Sequence, residues 1–174
     1  MINTVLAKAD SDQDEIWVLE HHPVFTLGLG GSDRHILTPG NIPVIRSDRG
    51  GQATYHGPGQ LVVYFLLNLR RLGWGPKRLV FELEELIITL FKEYEIESSR
   101  LDGAPGVYVE GQKIASIGLK IKRGFSYHGI SINLDMDLEP FLRINTCGSD
   151  SLQVTQLSNF QDITFDQVQK CFES

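Results

Sequence analysis

Residues 46–69 constrain this chain more than any other stretch. Their first half holds Gly50, Gly51, Gly57 and Gly59 with Pro58, too much backbone freedom for a helix and too much punctuation for a strand. The second half, from Leu61 to Leu69, is an almost unbroken apolar run of strand formers and predicts a buried strand. A glycine-rich polar loop feeding a buried strand brings bare backbone N–H groups close to whatever it encloses. Arg46, Arg49, Thr54, Tyr55, His56 and Gln60 supply the polar edge. Such a loop is either a tight double turn that merely needs glycine or a ligand-holding segment, and its varied side chains favour the second.

Composition sets the outer bounds. At 174 residues, one domain over residues 1–174 is expected, long enough for a sizeable core. Apolar residues at 41% and charged residues at 22% suit a globular chain, and the net charge of -6 argues against general nucleic-acid binding. The basic residues nonetheless cluster: Arg70, Arg71, Lys77 and Arg78 in one place, Lys120, Lys122 and Arg123 in another. Each cluster is either solvated surface or a docking patch for an acidic partner. Cys147 and Cys171 make no disulfide framework. The first residues acquire charge too early for a secretory leader, and no apolar run reaches membrane-spanning length. A cytoplasmic protein without membrane contact is expected.

Short strands are predicted at Glu15 to Glu20, Val24 to Leu27 and Pro43 to Ser47. His21 and His22 invite a metal reading, but neighbours on a strand face opposite ways and no Cys/His cluster has zinc spacing, so no metal site is predicted. Leu79, Leu83, Leu86, Leu90 and Phe91 recur at three-four spacing, which predicts an amphipathic helix over 78–94. The intervening Glu82, Glu84, Glu85 and Lys92 read as its wet face.

Gly106 to Ile121 reads as a hairpin turning at Glu110-Gly111-Gln112. Counted in twos without a bulge, Lys113 shares a face with Ala115, Ile117, Leu119 and Ile121, opposite Ser116, Gly118, Lys120 and Lys122. An inward lysine is either a snorkelling side chain or, since burial disfavours an ammonium, a usable base. Tyr127 to Asp135 alternates as well, placing His128 with Ile130 and Ile132 as a core or rim residue and Gly129, Ser131 and Asn133 opposite. A helical turn is expected over Leu138 to Leu142. Cys147, followed by Gly148, sits in a polar turn where a thiol is accessible and free N–H groups can stabilise a thiolate or an oxyanion. Thr164 and Gln167 form a capping box for a short last helix carrying Cys171.

Several of these stretches resemble one family. Arg49 to Gln60, Arg-Gly-Gly-Gln-Ala-Thr-Tyr-His-Gly-Pro-Gly-Gln, is similar to the signature of the lipoyl(octanoyl) transferases of the biotin/lipoate protein ligase superfamily. Leu19 to Gly28, Asp102 to Val109, Lys113 to Gly118 and the Asn-Thr-Cys-Gly element at Cys147 resemble further motifs of that family, in its order. The resemblance implies a single α/β (α+β) domain with a mixed, largely antiparallel sheet flanked by helices. It implies transfer of an octanoyl group from octanoyl-acyl carrier protein to the lysine of a lipoyl domain, on a 2-oxoacid dehydrogenase E2 subunit or the glycine cleavage H protein. Cys147 would carry the acyl group as a thioester and Lys113 would act as the base. Arg49, Gly50, Gly51, Gln52, Ala53, Thr54, Tyr55, His56, Ser116, Ile117, Gly118, Gly129, Ile130 and Ser131 would hold the substrate. No cofactor and no ATP are implied, since a thioester is already activated. Thr146 stands where the family has proline. Relative to the family, about one strand and one helix before Glu15 are expected to be missing and the end to come early, leaving a sheet edge to cover. Two other readings stay open: an ATP-dependent lipoate or biotin ligase, and a non-catalytic acyl- or carrier-binding relative.

Overall fold

The apolar run after Gly59 becomes the second strand of a five-stranded sheet, with Leu61, Val63 and Phe65 buried on one face. The computed structural model describes residues 14–145 and 152–172. In spatial order the large sheet is β1 (Glu15–Leu19), β5 (Gln60–Leu66), β8 (Phe125–Asn133), β7 (Gln112–Lys122) and β6 (Gly106–Val109), every neighbouring pair antiparallel. A three-stranded sheet holds β2 (Val24–Leu27) between a parallel β3 (Val44–Arg46) and an antiparallel β4 (Ala53–His56). Three helices are described: α1 (Leu69–Leu72), α2 (Pro76–Glu93) and α3 (Phe165–Lys170). This is the mixed, largely antiparallel α/β architecture predicted. No helix among the described residues is long and apolar enough to cross a membrane.

Two details of the central stretch differ from expectation. Ala53–His56 is a strand, because pairing with β2 satisfies its backbone where local glycine content argues against one. The buried strand also stops at Leu66, since the Asn68 side chain accepts from Arg71 N and caps α1.

The core lies between α2 and the large sheet. Leu79, Leu83, Ile87, Leu90 and Phe91 pack on Leu61 and Val63 of β5 and on Ile130 and Ile132 of β8, each buried side chain contributing about 1.5–3 kcal/mol. Steps of four carry the buried stripe from Leu79 to Phe91, so Leu86 stands 40% exposed instead of inside. Glu84, on the flank of that stripe, is 7% exposed. Of the helix's predicted wet face, this one charge is buried.

The β6–β7 hairpin turns where predicted, through Glu110 and Gly111 at φ 51 and 77. Its register then slips: Val107 pairs with Ala115 but Tyr108 pairs with Lys113, leaving Ile114 as a bulge. Lys113 therefore leaves the phase of Ala115 and Ile117 and shares Tyr108's face, with Nζ 5.5 Å from that ring's centroid. A bulge-free count puts it on the wrong face.

Candidate active site

A cavity of about 660 Å³ opens between the two sheets and the glycine loop. Of the sequence-predicted site residues, it is lined by Arg49, Gly50, Gly51, Gln52, Ala53, Thr54, His56, Lys113, Ser116, Ile117, Gly118, Gly129, Ile130 and Ser131. Tyr55 is brought elsewhere. Between Thr54 and His56 on β4 it turns to the other face and packs with Phe25 and Phe141 in a second apolar cluster. Cys147 and Gly148 lie outside the described residues.

Lys113 is 3% exposed. Its backbone N–H donates to Gln153 O at 2.9 Å and its carbonyl accepts from Thr155 N at 2.9 Å. Val154 thus forms a parallel β-bridge with the lysine. The side chain passes over Gly106: a Cβ there would stand 2.5 Å from Lys113 Cε and 3.2 Å from Nζ. Further along the same face, Ser116 pairs with Ser131 and Gly118 with Gly129, and Arg49 lies over Gly118, where a Cβ would stand 2.9 Å from its Cδ. Gly129 is there for close approach, since a Cβ would lie 1.9 Å from Val63 O on β5.

Arg49 holds the loop together. Its Nη2 donates to Thr26 O at 2.8 Å, Thr26 Oγ1 at 2.7 Å and Gln52 O at 2.8 Å, while Nη1 reaches Gly50 O at 2.8 Å. Gly50 N donates to Leu119 O at 2.8 Å, docking the loop on the edge of β7. The arginine is thus a cross-brace between β2 and the glycine turn. Thr54 Oγ1 and Gln52 Oε1, on two residues of the cavity wall, are buried without a hydrogen-bond partner.

One polar chain links the glycine loop to the lysine. Asn133 Nδ2 donates to the Thr155 carbonyl (2.9 Å), Gln60 Nε2 donates to Asn133 Oδ1 (2.9 Å), and Gln60 Oε1 faces His56 Nδ1 (2.7 Å). A backbone carbonyl only accepts, so each amide is oriented in turn and Nδ1 of His56 must donate. Burial pushes the His56 imidazole down to about 4, against the hydrogen bond to Gln60, with Arg49 and the neighbouring histidines adding to the fall. At neutral pH it is a neutral ring with Nε2 unprotonated.

A second polar group went unseen in the sequence. His128 Nε2 bonds Asp48 Oδ1 at 2.8 Å, Tyr127 OH donates to Asp48 Oδ2 at 2.5 Å, and His21 Nε2 bonds Tyr64 OH at 2.6 Å. Burial alone would raise the Asp48 carboxyl, but the bonds from Tyr127 and His128 outweigh it and hold the carboxyl low. Burial and the bond to Asp48 push Tyr127 up to about 12. His128 does not follow Ile130 into the core: its backbone is left-handed (φ 61) and its ring lies 6.0 Å from that of Tyr64. Tyr64 carries the signal that could have found this group, as a polar residue facing away from Leu61, Val63 and Phe65 in an otherwise apolar strand. Among the described residues no group of three or more His, Cys, Asp or Glu could hold a metal ion.

The two basic clusters converge. Leu69 N donates to Gly124 O at 2.9 Å, and Arg70 lies over Gly124, where a Cβ would meet its Nε at 2.5 Å. Arg70 therefore sits beside Lys122 and Arg123 at the tip of the β7–β8 hairpin, while Lys120 lines the cavity. Arg71 and Arg78 are paired to Asp14 and Glu82.

Residues 2–174 match the model of the lipoyl protein ligase A/B catalytic domain. An octanoyltransferase of Vibrio cholerae is 52% identical over 158 residues, 91% of this chain and 73% of that protein. One from Alkalilimnicola ehrlichii is 59% identical over 144 residues, 83% and 67%. Among solved structures, lipoate-protein ligase A bound with ATP superposes with a TM-score of 0.76 at 15% identity, covering 92% of this chain and 70% of that one. A putative lipoate protein ligase from T. acidophilum gives 0.74 at 14% identity, covering 97% and 77%. The structural likenesses concern the fold alone.

Proposed function

The chain belongs to the lipoyl protein ligase A/B catalytic domain family, and from that membership we infer that it is an octanoyltransferase of protein lipoylation acting through Cys147 and Lys113. The donor is octanoyl-acyl carrier protein. The acceptors are lipoyl domains, those of 2-oxoacid dehydrogenase E2 subunits and of the glycine cleavage H protein. In the first half-reaction Lys113 Nζ takes the Cys147 thiol proton, and the thiolate attacks the carbonyl carbon of the donor thioester. A carbon–sulfur bond forms to Cys147 as the donor's breaks, and the proton passes to the departing thiolate. In the second, the acceptor amine attacks the acyl-enzyme, a carbon–nitrogen bond replaces the thioester, Lys113 takes the amine proton and Cys147 recovers it. One thioester is exchanged for another, so no nucleotide is consumed.

The observation that carries this reading is the hydrogen bonding of Gln153 and Thr155 to the backbone of a buried Lys113, which ties a segment that follows Cys147 closely in sequence to the lysine. The cavity of about 660 Å³ beside it, with Ile117, Leu119 and Ile130 in its wall, suits an unbranched acyl chain. Incubation with octanoyl-carrier protein in the absence of ATP should add one octanoyl group, mapped by peptide mass to Cys147 and not to Cys171. An adduct on Cys171, or one that appears only with ATP, would sink the assignment.

A further inference from the structure

Glu84 is a charged residue buried in a helix whose other work is to pack on the sheet. Both its oxygens are committed. Oε1 accepts the backbone N–H of Gly106 at 2.9 Å, and Oε2 accepts Arg100 Nε at 3.1 Å. Arg100 also reaches Glu85 Oε2 at 2.5 Å and lies 4.4 Å from the centroid of the Phe81 ring, so the pair is braced from two directions. Burying a carboxylate is costly unless it is fully hydrogen-bonded, and this one is spent on a single glycine N–H and one guanidinium.

The glycine is the one beneath Lys113. Gly106 has φ 138, in the region that favours glycine, and no Cβ could occupy the space that the lysine chain fills. Pulling on its N–H fixes the height and tilt of the peptide on which Cε and Nζ rest. Tyr108, whose ring centroid lies 5.5 Å from Lys113 Nζ, is fixed by its hydroxyl donating to Ala104 O at 2.9 Å.

We propose that Glu84 is a positioning residue for the transfer reaction: through Gly106 it sets the seat of Lys113, the base of that reaction. The inference rests on the Cys147–Lys113 reading above and adds a residue that never touches the reacting atoms. What matters is an oxygen at Gly106 N–H, not the charge. Displacement of a base by even a fraction of an ångström is felt steeply in the reaction rate.

Two substitutions separate oxygen from charge. Glu84→Asp keeps the charge but draws the carboxylate back from Gly106, whereas Glu84→Gln keeps one oxygen for the Gly106 N–H and gives up both the charge and the acceptor for Arg100 Nε, leaving Arg100 to Glu85 and Phe81. The first readout is the pH midpoint for alkylation of Cys147 by iodoacetamide, which needs no acyl donor. The second is single-turnover octanoyl transfer. In Glu84→Asp the midpoint should rise toward the ordinary thiol value of about 8.5, and transfer should fall by up to about 10²-fold with little change in KM. Glu84→Gln should keep the parent midpoint and rate. Glu84→Met, which fills the space without an acceptor, should match Glu84→Asp and replaces it if the aspartate variant does not fold. Parent-like midpoints in both Asp and Met variants overturn the proposal, as does a shift confined to Glu84→Gln. A parent enzyme that forms no octanoyl adduct fails the transferase reading instead and leaves the alkylation comparison standing.

Discussion

Replacing His56 by asparagine tests whether the polar chain between the glycine loop and Lys113 holds a neutral imidazole. The unfolded ring titrates near 6.5, and in the fold burial brings it to about 4. Between those values the unfolded chain binds a proton that the folded chain refuses, so stability is fully present above 6.5 and is lost as the pH falls toward 4. At about 1.4 kcal/mol per tenfold change in proton affinity, the limiting loss is about 3 kcal/mol, with about 2 kcal/mol of it gone by pH 5. Part of the ring's surface remains in the cavity, which makes these upper values. Asparagine offers an amide N–H to Gln60 Oε1 but cannot titrate. Urea unfolding at about pH 7.5 and about pH 5 should show the parent losing about 1–2 kcal/mol more than His56→Asn over that interval. The comparison cancels titration elsewhere, including at His21, which burial and the neighbouring charge of His22 also lower. Equal losses in the two proteins would refute a neutral buried His56.

Lys113→Arg should retain some alkylation of Cys147, because a guanidinium still favours the thiolate, yet transfer octanoate about 10²–10⁴-fold more slowly since it takes no proton. Lys113→Met should lose both, and parent-rate transfer by the arginine variant would move the base elsewhere, with His56 next. Reversing charge at Lys122 and Arg123, beside Arg70, should weaken binding of the acidic carrier protein and flatten its salt dependence. Affinity indifferent to salt and to the reversal would remove that hairpin tip from the docking surface.

Much of the architecture is legible in local pattern. The hairpin at Glu110-Gly111, the strand from Val24 to Leu27, the capping box at Thr164 and the core stripe of α2 are each written in a handful of neighbouring residues. The cavity is legible too, since loop and strand motifs far apart in sequence converge on it. What pattern misses is set by pairing at a distance. Tyr55 faces away because Ala53–His56 pairs with β2, and His128 leaves its phase through one left-handed residue. Glu84 reads as a surface charge until β6 supplies the N–H that it holds. Asp48 gives no sign of itself before Tyr127 and His128 arrive from eighty residues away.

The bulge at Ile114 splits β7 into two stretches that answer to different neighbours. Downstream of it, Ile117, Leu119 and Ile121 pack against the helix-covered core while also walling the cavity. Upstream, Lys113 is clasped between Tyr108 and its β-bridge to Val154. One surplus residue thus works as a clutch between stability and chemistry: drift in the packing of the long strand need not turn the lysine, and refinement of the lysine's seat need not disturb the core.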